Sequence, residues 1–227
     1  MNYTEMLEKF DVLYNNITSS QAPGLDTYEK CVFWNKGQLE VLKNHLNPKG
    51  NKYGEGFDFS SKRQIEFSSL IGKIQLTASS TAPDFCINAT RFDIPSGTDP
   101  MLCILNEYAE YSEGNNAYRL VGVPISNVEY DTLMSRPFKY PPKAQAWRMI
   151  INGHFEVITA FGTTQSLAYH VRYVKMPKEL SETQTVIEIP EVLHDEVLQR
   201  AVELAKAAYV GDMNQQQVIQ ALGERSE

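Results

Sequence analysis

Residues 187–212, IEIPEVLHDEVLQRAVELAKAAYVGD, constrain the fold of this chain more than any other stretch. At about 100° per residue, Leu193, Val197, Leu198, Ala201, Val202, Leu204, Ala205, Ala208 and Tyr209 fall on one half of a helical wheel. Asp195, Glu196, Gln199, Arg200, Glu203 and Lys206 fill the other half. Pro190 suits a first turn, where its missing N–H is not needed, and Gly211 stands where a left-handed C-cap is expected. An apolar half this wide has to be covered by something.

The N-terminal 71 residues supply a cover. Asn2 and Glu5 form a capping-box pair, and Met6, Phe10, Leu13, Tyr14 and Ile17 then recur on one helical face. Pro23-Gly24 ends that helix. A second box, Asp26 with Glu29, opens another helix carrying Tyr28, Val32, Phe33, Leu39, Leu42 and Leu46, which stops at Asn47-Pro48-Lys49-Gly50. Ser60 to Ile71 read as a weaker third helix. Residues 72–188 change character: GKIQLTAS, FCINATRFDIP, MLCILNEYAEY, YRLVGVPIS, AQAWRMIING, HFEVITAFG, AYHVRYVKMP and TVIEIP are short apolar or alternating runs divided by turn residues. Asn152-Gly153 between two of them marks a type I′ hairpin, and Asn115-Asn116 is a looser signal of the same kind. The expected fold is α+β: a discontinuous helical bundle of residues 1–71 and 189–211 into which an antiparallel β sandwich or barrel of residues 72–188 is inserted. A C-terminal helix lying on one face of the sheet is the alternative. Residues 212–227, with only Val218, Ile219, Ala221 and Leu222 as apolar anchors among polar neighbours, read as a flexible tail.

Composition narrows the function. No apolar run approaches the roughly 20 residues needed to cross a bilayer, so no membrane role is expected. The acidic amphipathic start MNYTEMLEKF is unlike a secretory signal, so synthesis in a cytosol is expected. Cys31, Cys86 and Cys103, an odd number without CxxC spacing, read as reduced core residues. A net charge of −7 argues against binding nucleic acid through phosphate neutralisation. His45, His154, His170 and His194 are scattered, and HExxH, CxxC and GxSxG are absent. GNKYGEG lacks the Lys-Ser/Thr ending of a phosphate loop. No catalytic residue, metal or cofactor is expected.

One segment stands out against the acidic background. In YDTLMSRPFKYPPKAQAWR, residues 130–148, Arg136, Lys139, Lys143 and Arg148 cluster positive charge, and three prolines stiffen a backbone that carries Phe138 and Tyr140. Rigid aromatics and arginines of this kind are enriched at interface hot spots. An ordered Pro-rich loop between two strands is the other reading. Arg136, Phe138, Lys139, Tyr140, Lys143 and Arg148, with Val218, Ile219 and Leu222 of the tail, are the candidate subunit or partner contacts.

The run FDVLYNNITSSQAPGLDTYEKCVFWNKGQLEVLKNHLNPKGNKYGEGFDFSSKRQIEFSSLI, the 130–148 segment and the ending IEIPEVLHDEVLQRAVELAKAAY together resemble neck or ring proteins of crAss-like tailed phages. These are similar to the adaptor, or tail tubular A-type, head-to-tail connectors of short-tailed phages. The resemblance implies a virion protein with a helical domain and an inserted β domain. It implies a ring, commonly of about twelve copies, stacked below the portal against further neck or tail rings, with DNA passing through without sequence-specific contact. It brings no catalytic residues and leaves open whether the tail meets the portal or a neighbouring subunit. The competing expectation is a soluble binding module whose β domain holds a carbohydrate or a host protein, with Tyr108, Tyr111, Tyr118 and Trp147 as stacking faces.

Overall fold

The computed structural model describes residues 1–15, 24–46, 67–113, 116–136, 140–162 and 166–210. The chain divides into two compact units, one of Met1–Leu70 with Pro177–Glu227 and one of Ile71–Met176. The tail beyond residue 210 and most of the expected third helix lie outside the described residues. The described end of that helix is a 3₁₀ turn, Ser68–Leu70, and the first strand begins at once with Ile71.

In the helical unit, α1 (Tyr3–Asn15) buries Met6, Phe10 and Tyr14, and its first turn is capped by Asn2, whose Oδ1 accepts the Glu5 N–H at 2.8 Å. The helix α2 (Thr27–Leu46) opens on a reciprocal box in which Asp26 Oδ1 accepts the Glu29 N–H at 2.7 Å and Glu29 Oε2 accepts the Asp26 N–H at 3.0 Å. Its buried face is not the one its large apolar residues suggest. Cys31, Trp34, Gly37, Gln38, Val41 and Leu42 are inward, whereas Tyr28 is 69 % exposed. The reason is steric: a Cβ on Gly37 would stand 3.0 Å from Ala201 N and 3.1 Å from Val197 O, so the helix turns its smallest residue toward its neighbour.

That neighbour is the C-terminal helix α4 (His194–Val210), numbered after the helix α3 (Asn127–Met134) of the second unit, which the sequence did not foretell. It buries Val197, Leu198, Ala201, Val202 and Ala205 and packs mostly on α2, less on α1, while α1 and α2 touch each other least. Polar contacts ring the seam. Arg200 Nε meets Glu40 at 2.6 Å, His45 Nε2 meets Glu196 at 3.0 Å, and Lys206 donates to the Leu13 carbonyl at 2.9 Å. Lys30 pairs with Asp11 at 2.7 Å. His194 is buried in the first turn of α4; its Nε2–H donates to the Ile189 carbonyl at 2.7 Å and its ring stands edge-on to Trp34. The segment 185–190, read as a strand, joins no sheet; a 3₁₀ turn, Glu191–Leu193, leads from it into α4. Asn35 of α2 ties down the stretch before it, accepting from the Leu180 N–H at 2.8 Å and donating to its carbonyl at 3.0 Å.

The second unit is a single curled sheet of seven strands, β1 (Ile71–Thr77), β2 (Ala89–Asp93), β3 (Met101–Glu113), β4 (Asn116–Pro124), β5 (Gln145–Ile151), β6 (His154–Thr159) and β7 (Leu167–Lys175), in the order β1-β7-β3-β4-β5-β6-β2. The hairpin β5–β6 turns on Asn152 at φ 47° and Gly153 at φ 80°, the left-handed pair a type I′ turn requires. The expected all-antiparallel pairing fails at one place: β4 and β5 run parallel. A parallel neighbour needs a crossover, and the helix α3 (Asn127–Met134) supplies it. The outermost strands curl back toward each other, and the Ser79 N–H donates to the Arg91 carbonyl at 2.8 Å just beyond β1. Every strand contributes to the enclosed core of Leu76, Phe92, Ala109, Leu120, Ala146, Phe155, Val157, Leu167, Tyr169, Val171 and Tyr173. Burial of side chains of this size stabilises by about 1.5–3 kcal/mol each.

Replacing Gly37 by Val is expected to destabilise the protein by about 2 kcal/mol through overpacking of backbone against backbone, read as a lower urea midpoint. An unchanged midpoint would show that α2 and α4 can part at no cost.

Candidate interaction surface

The outer face of β5, β6 and β2 carries Ala89, Trp147, Met149 and Ile158, and α3 lays Tyr130, Leu133 and Met134 over it. The Ser126 side chain accepts the Glu129 N–H at 3.3 Å and the Glu129 carboxylate accepts the Ser126 N–H at 2.7 Å, a full capping box that starts the helix at the right residue. Tyr130 then serves two neighbours, its hydroxyl accepting the Ile87 N–H at 2.9 Å and its ring packing 5.3 Å from Phe85.

The loop 84–88 that Tyr130 holds is fixed from beneath by Glu156. This residue is fully buried, and its carboxylate accepts the backbone N–H groups of Asp84, of Phe85 at 3.1 Å and of Cys86 at 2.6 Å, with His154 Nε2 at 3.2 Å. His154 and Glu156 alternate on β6 and so share one face, a pairing that the view of scattered histidines misses. Burial works against ionisation of Glu156, but the Cys86 N–H, the His154 ring and the other donors prevail and hold its carboxyl below the ordinary carboxylate range. Burial, then the Glu156 carboxylate, push the Cys86 thiol up, and its Sγ lies 3.3 Å from Met149 Sδ. Arg91 completes the anchor, reaching Asp93 at 2.7 Å and Asp84 at 2.8 Å.

What this loop presents is apolar. Phe85 is 50 % exposed and Ile87 68 %, and Asn88, at φ 58°, donates to the Tyr140 hydroxyl at 2.8 Å, which brings the 46 %-exposed Tyr140 beside them. Of the residues anticipated from sequence, Arg136, Tyr140 and Lys143 are exposed; Tyr140 is tied to this loop through Asn88, and Arg136 and Lys143 precede and follow it in the chain. Phe138, Lys139, Val218, Ile219 and Leu222 lie outside the described residues. Arg148 points into the sheet: its side chain is 13 % exposed and its Nε meets Glu107 at 2.9 Å, while the Tyr169 hydroxyl donates to the same carboxylate at 2.6 Å. A Cβ on Gly122 would overlap Glu107 Cγ, so the glycine makes room for that pair. Phe85 and Ile87 went unnoticed because FCINATRFDIP looks like one strand; the left-handed Asn88 delays β2 to Ala89 and leaves both side chains outside.

Other features of the chain are less open. Tyr108 is sandwiched, with the Arg119 guanidinium 4.0 Å from its ring and His170 stacked at 4.5 Å. Tyr111 stacks on Phe161 at 4.3 Å, and Trp147 is buried. Tyr118, the fourth of the expected stacking residues, is 42 % exposed, with its ring 6.2 Å from Tyr111 and 5.9 Å from Phe161. A cleft of about 570 Å³ opens among Ile94, Met101, Ile104, Ile150 and Phe155, with Arg148 at its edge. In the helical unit a groove of about 470 Å³ runs between α1 and α4, lined by the apolar Val12, Leu13 and Leu198, the carboxylates Glu5, Glu8 and Asp195, and Lys9 and Gln199. Among the described residues no three His, Cys, Asp or Glu side chains gather as a metal site, and no helix is long and apolar enough to cross a membrane.

The chain has relatives among the ring proteins of phages. The family model described as phage tail ring protein 3/4 matches residues 1–217. Ring protein 4/5 of Bacteroides phage crAss001 is 40 % identical over 248 aligned positions that take in all of both chains. Ring protein 3 of the same phage is 23 % identical over 221 positions, 90 % of this chain and 95 % of that one. The chain belongs to the phage tail ring protein 3/4 family.

Two substitutions test the anchors. Arg148→Ala leaves Glu107 buried without its cation and is expected to cost about 3 kcal/mol in urea unfolding, against less than about 0.5 kcal/mol for Lys143→Ala at the surface. For Glu156, the folded carboxyl titrates below its unfolded value of about 4.3, so its stabilisation is present above about pH 4.3 and is lost as the pH falls further. Glu156→Gln is expected to lose about 2 kcal/mol at pH 7 and to flatten the acid limb of the stability profile; parallel wild-type and variant profiles would contradict this anchor.

Proposed function

We propose that this chain is a structural subunit of a ring in the neck of a tailed phage, placed below the portal and stacked on a further neck or tail ring, with the genome passing through its opening. The observation that carries this reading is the end-to-end match to Ring protein 4/5 of phage crAss001 at 40 % identity. The physical features support it. The helices α1 and α2 at the start of the chain pack with α4 near its end, and the β unit is inserted between them in sequence. The surface around residues 85–88 and 136–143 serves subunit contact, and residues 212–227 reach the portal or a neighbouring copy. A net charge of −7 favours an acidic lumen from which passing DNA phosphates are repelled. No catalysis is assigned to it; the subunit acts by shape and adhesion.

Mass spectrometry of purified particles is expected to find the protein in stoichiometric amount, and antibody labelling is expected to mark the tail vertex. A nonsense mutation in its gene is expected to yield filled heads without complete tails. Particles that lack the protein and remain infectious would overturn the reading.

A further inference from the structure

We infer that the surface formed by Phe85, Ile87 and Tyr140 with Arg136 and Lys143 docks into the acidic groove between α1 and α4 of a second copy, joining successive copies head to tail. The inference rests on the ring reading above and gives the ring its contact.

The chemistry of the two surfaces is complementary in kind. One offers apolar side chains that are 46–68 % exposed, with the exposed cations Arg136 and Lys143 on either side of Tyr140 in the chain. The other offers an apolar lining, in which Val12 is 59 % exposed, together with Glu5, Glu8 and Asp195. Glu5 is satisfied by Lys9 at 2.9 Å, which leaves the groove with a surplus of carboxylate. Docking would cover apolar area on both sides and bring each cation to an acid.

Neither surface can pair with itself. Two copies meeting through the same patch would oppose Arg136 and Lys143 with like charges, or Glu8 and Asp195 with like charges, and juxtaposed like charges disfavour association. A contact between two different patches is the heterologous kind, which generates a ring when the rotation from copy to copy closes, whereas a two-fold contact stops at a pair. The charge of the whole chain is divided in the same sense. Asp and Glu outnumber Lys and Arg by 19 to 12 in the helical unit, whereas the β unit has nine of each, so the excess negative charge lies entirely on the side that carries the groove. Loop 84–88 is also fixed before contact, since Glu156 and Tyr130 accept its backbone N–H groups and Asn88 donates to Tyr140. Preformed surfaces lose little freedom on binding.

The test is a charge swap across the contact, followed by sedimentation of the full chain at low ionic strength. Arg136→Glu with Lys143→Glu makes the β-unit surface acidic; Glu8→Lys with Asp195→Lys makes the groove basic. Wild-type protein is expected to self-associate with rising concentration, and each double variant to associate at least about tenfold more weakly while keeping the wild-type melting temperature. An equimolar mixture of the two variants should associate again, because each then finds its opposite on the other. That recovery also separates a contact between copies from one within a chain. A wild type that stays monomeric, variants that associate as well as wild type, or a mixture that fails to recover would each overturn the inference. Any of these outcomes with the protein still present in particles would leave the ring reading standing, whereas its absence from particles would remove that reading itself.

Discussion

The approach of α2 to α4 at Gly37 is the contact on which the helical unit depends. Helices held apart by side chains pack through those side chains, but here the backbone of Val197–Ala201 comes within van der Waals reach of where a Cβ would be. This closeness lets α4 bury Val197, Leu198, Ala201 and Val202 along one seam and still reach α1 through Lys206. The ion pairs at the margins, Arg200 with Glu40 and His45 with Glu196, set the register along the helix more than they add stability, because partly exposed pairs contribute little. With α1 and α2 barely touching each other, α4 is what makes the early and late parts of the chain one body.

The β unit is organised differently, around two buried carboxylates with opposite settings. Glu107 faces the interior and is neutralised by Arg148 and the Tyr169 hydroxyl. Glu156 faces outward and gathers backbone N–H groups, so its charge is spent on fixing a loop. An apolar residue at 156 would pack well enough but would leave three amides of that loop without acceptors, and the loop would be free to fold its apolar side chains away from solvent. A polar group at the bottom of the loop is therefore what keeps hydrophobic groups at the top of it exposed.

Local rules made much of this fold legible. The caps at Asn2 and Asp26, the Asn152-Gly153 turn and the apolar arc of α4 are properties of neighbours in sequence, and the structure carries each of them, the arc as far as Ala205, with Ala208 exposed. Where partners are distant, sequence misleads. The face of α2 follows Gly37 and Gln38 rather than Tyr28 and Phe33, because what lies opposite is a backbone. The parallel β4–β5 pair and α3 are linked, and the only early sign of either was Ser126-x-x-Glu129 before Tyr130, within a helix of eight residues. Of the cationic segment 136–148, Arg136 and Lys143 are at the surface while Arg148 has a buried acid to answer, a distinction that composition cannot make.

The division of the helical unit between the two ends of the chain has a consequence for its birth. α1 and α2 leave the ribosome early, yet the helix that covers Trp34, Val41 and Leu42 is made last. At roughly 5–20 residues per second, the roughly 150 residues between α2 and α4 take on the order of ten seconds to synthesise, and the β sheet itself must wait for β7 to join β1 to β3. During that interval the apolar faces of α1 and α2 have no partner from their own chain. The nascent protein is thus a client for chaperones at its N-terminal helices first, and substitutions that speed the folding of the sheet would not shorten that exposure.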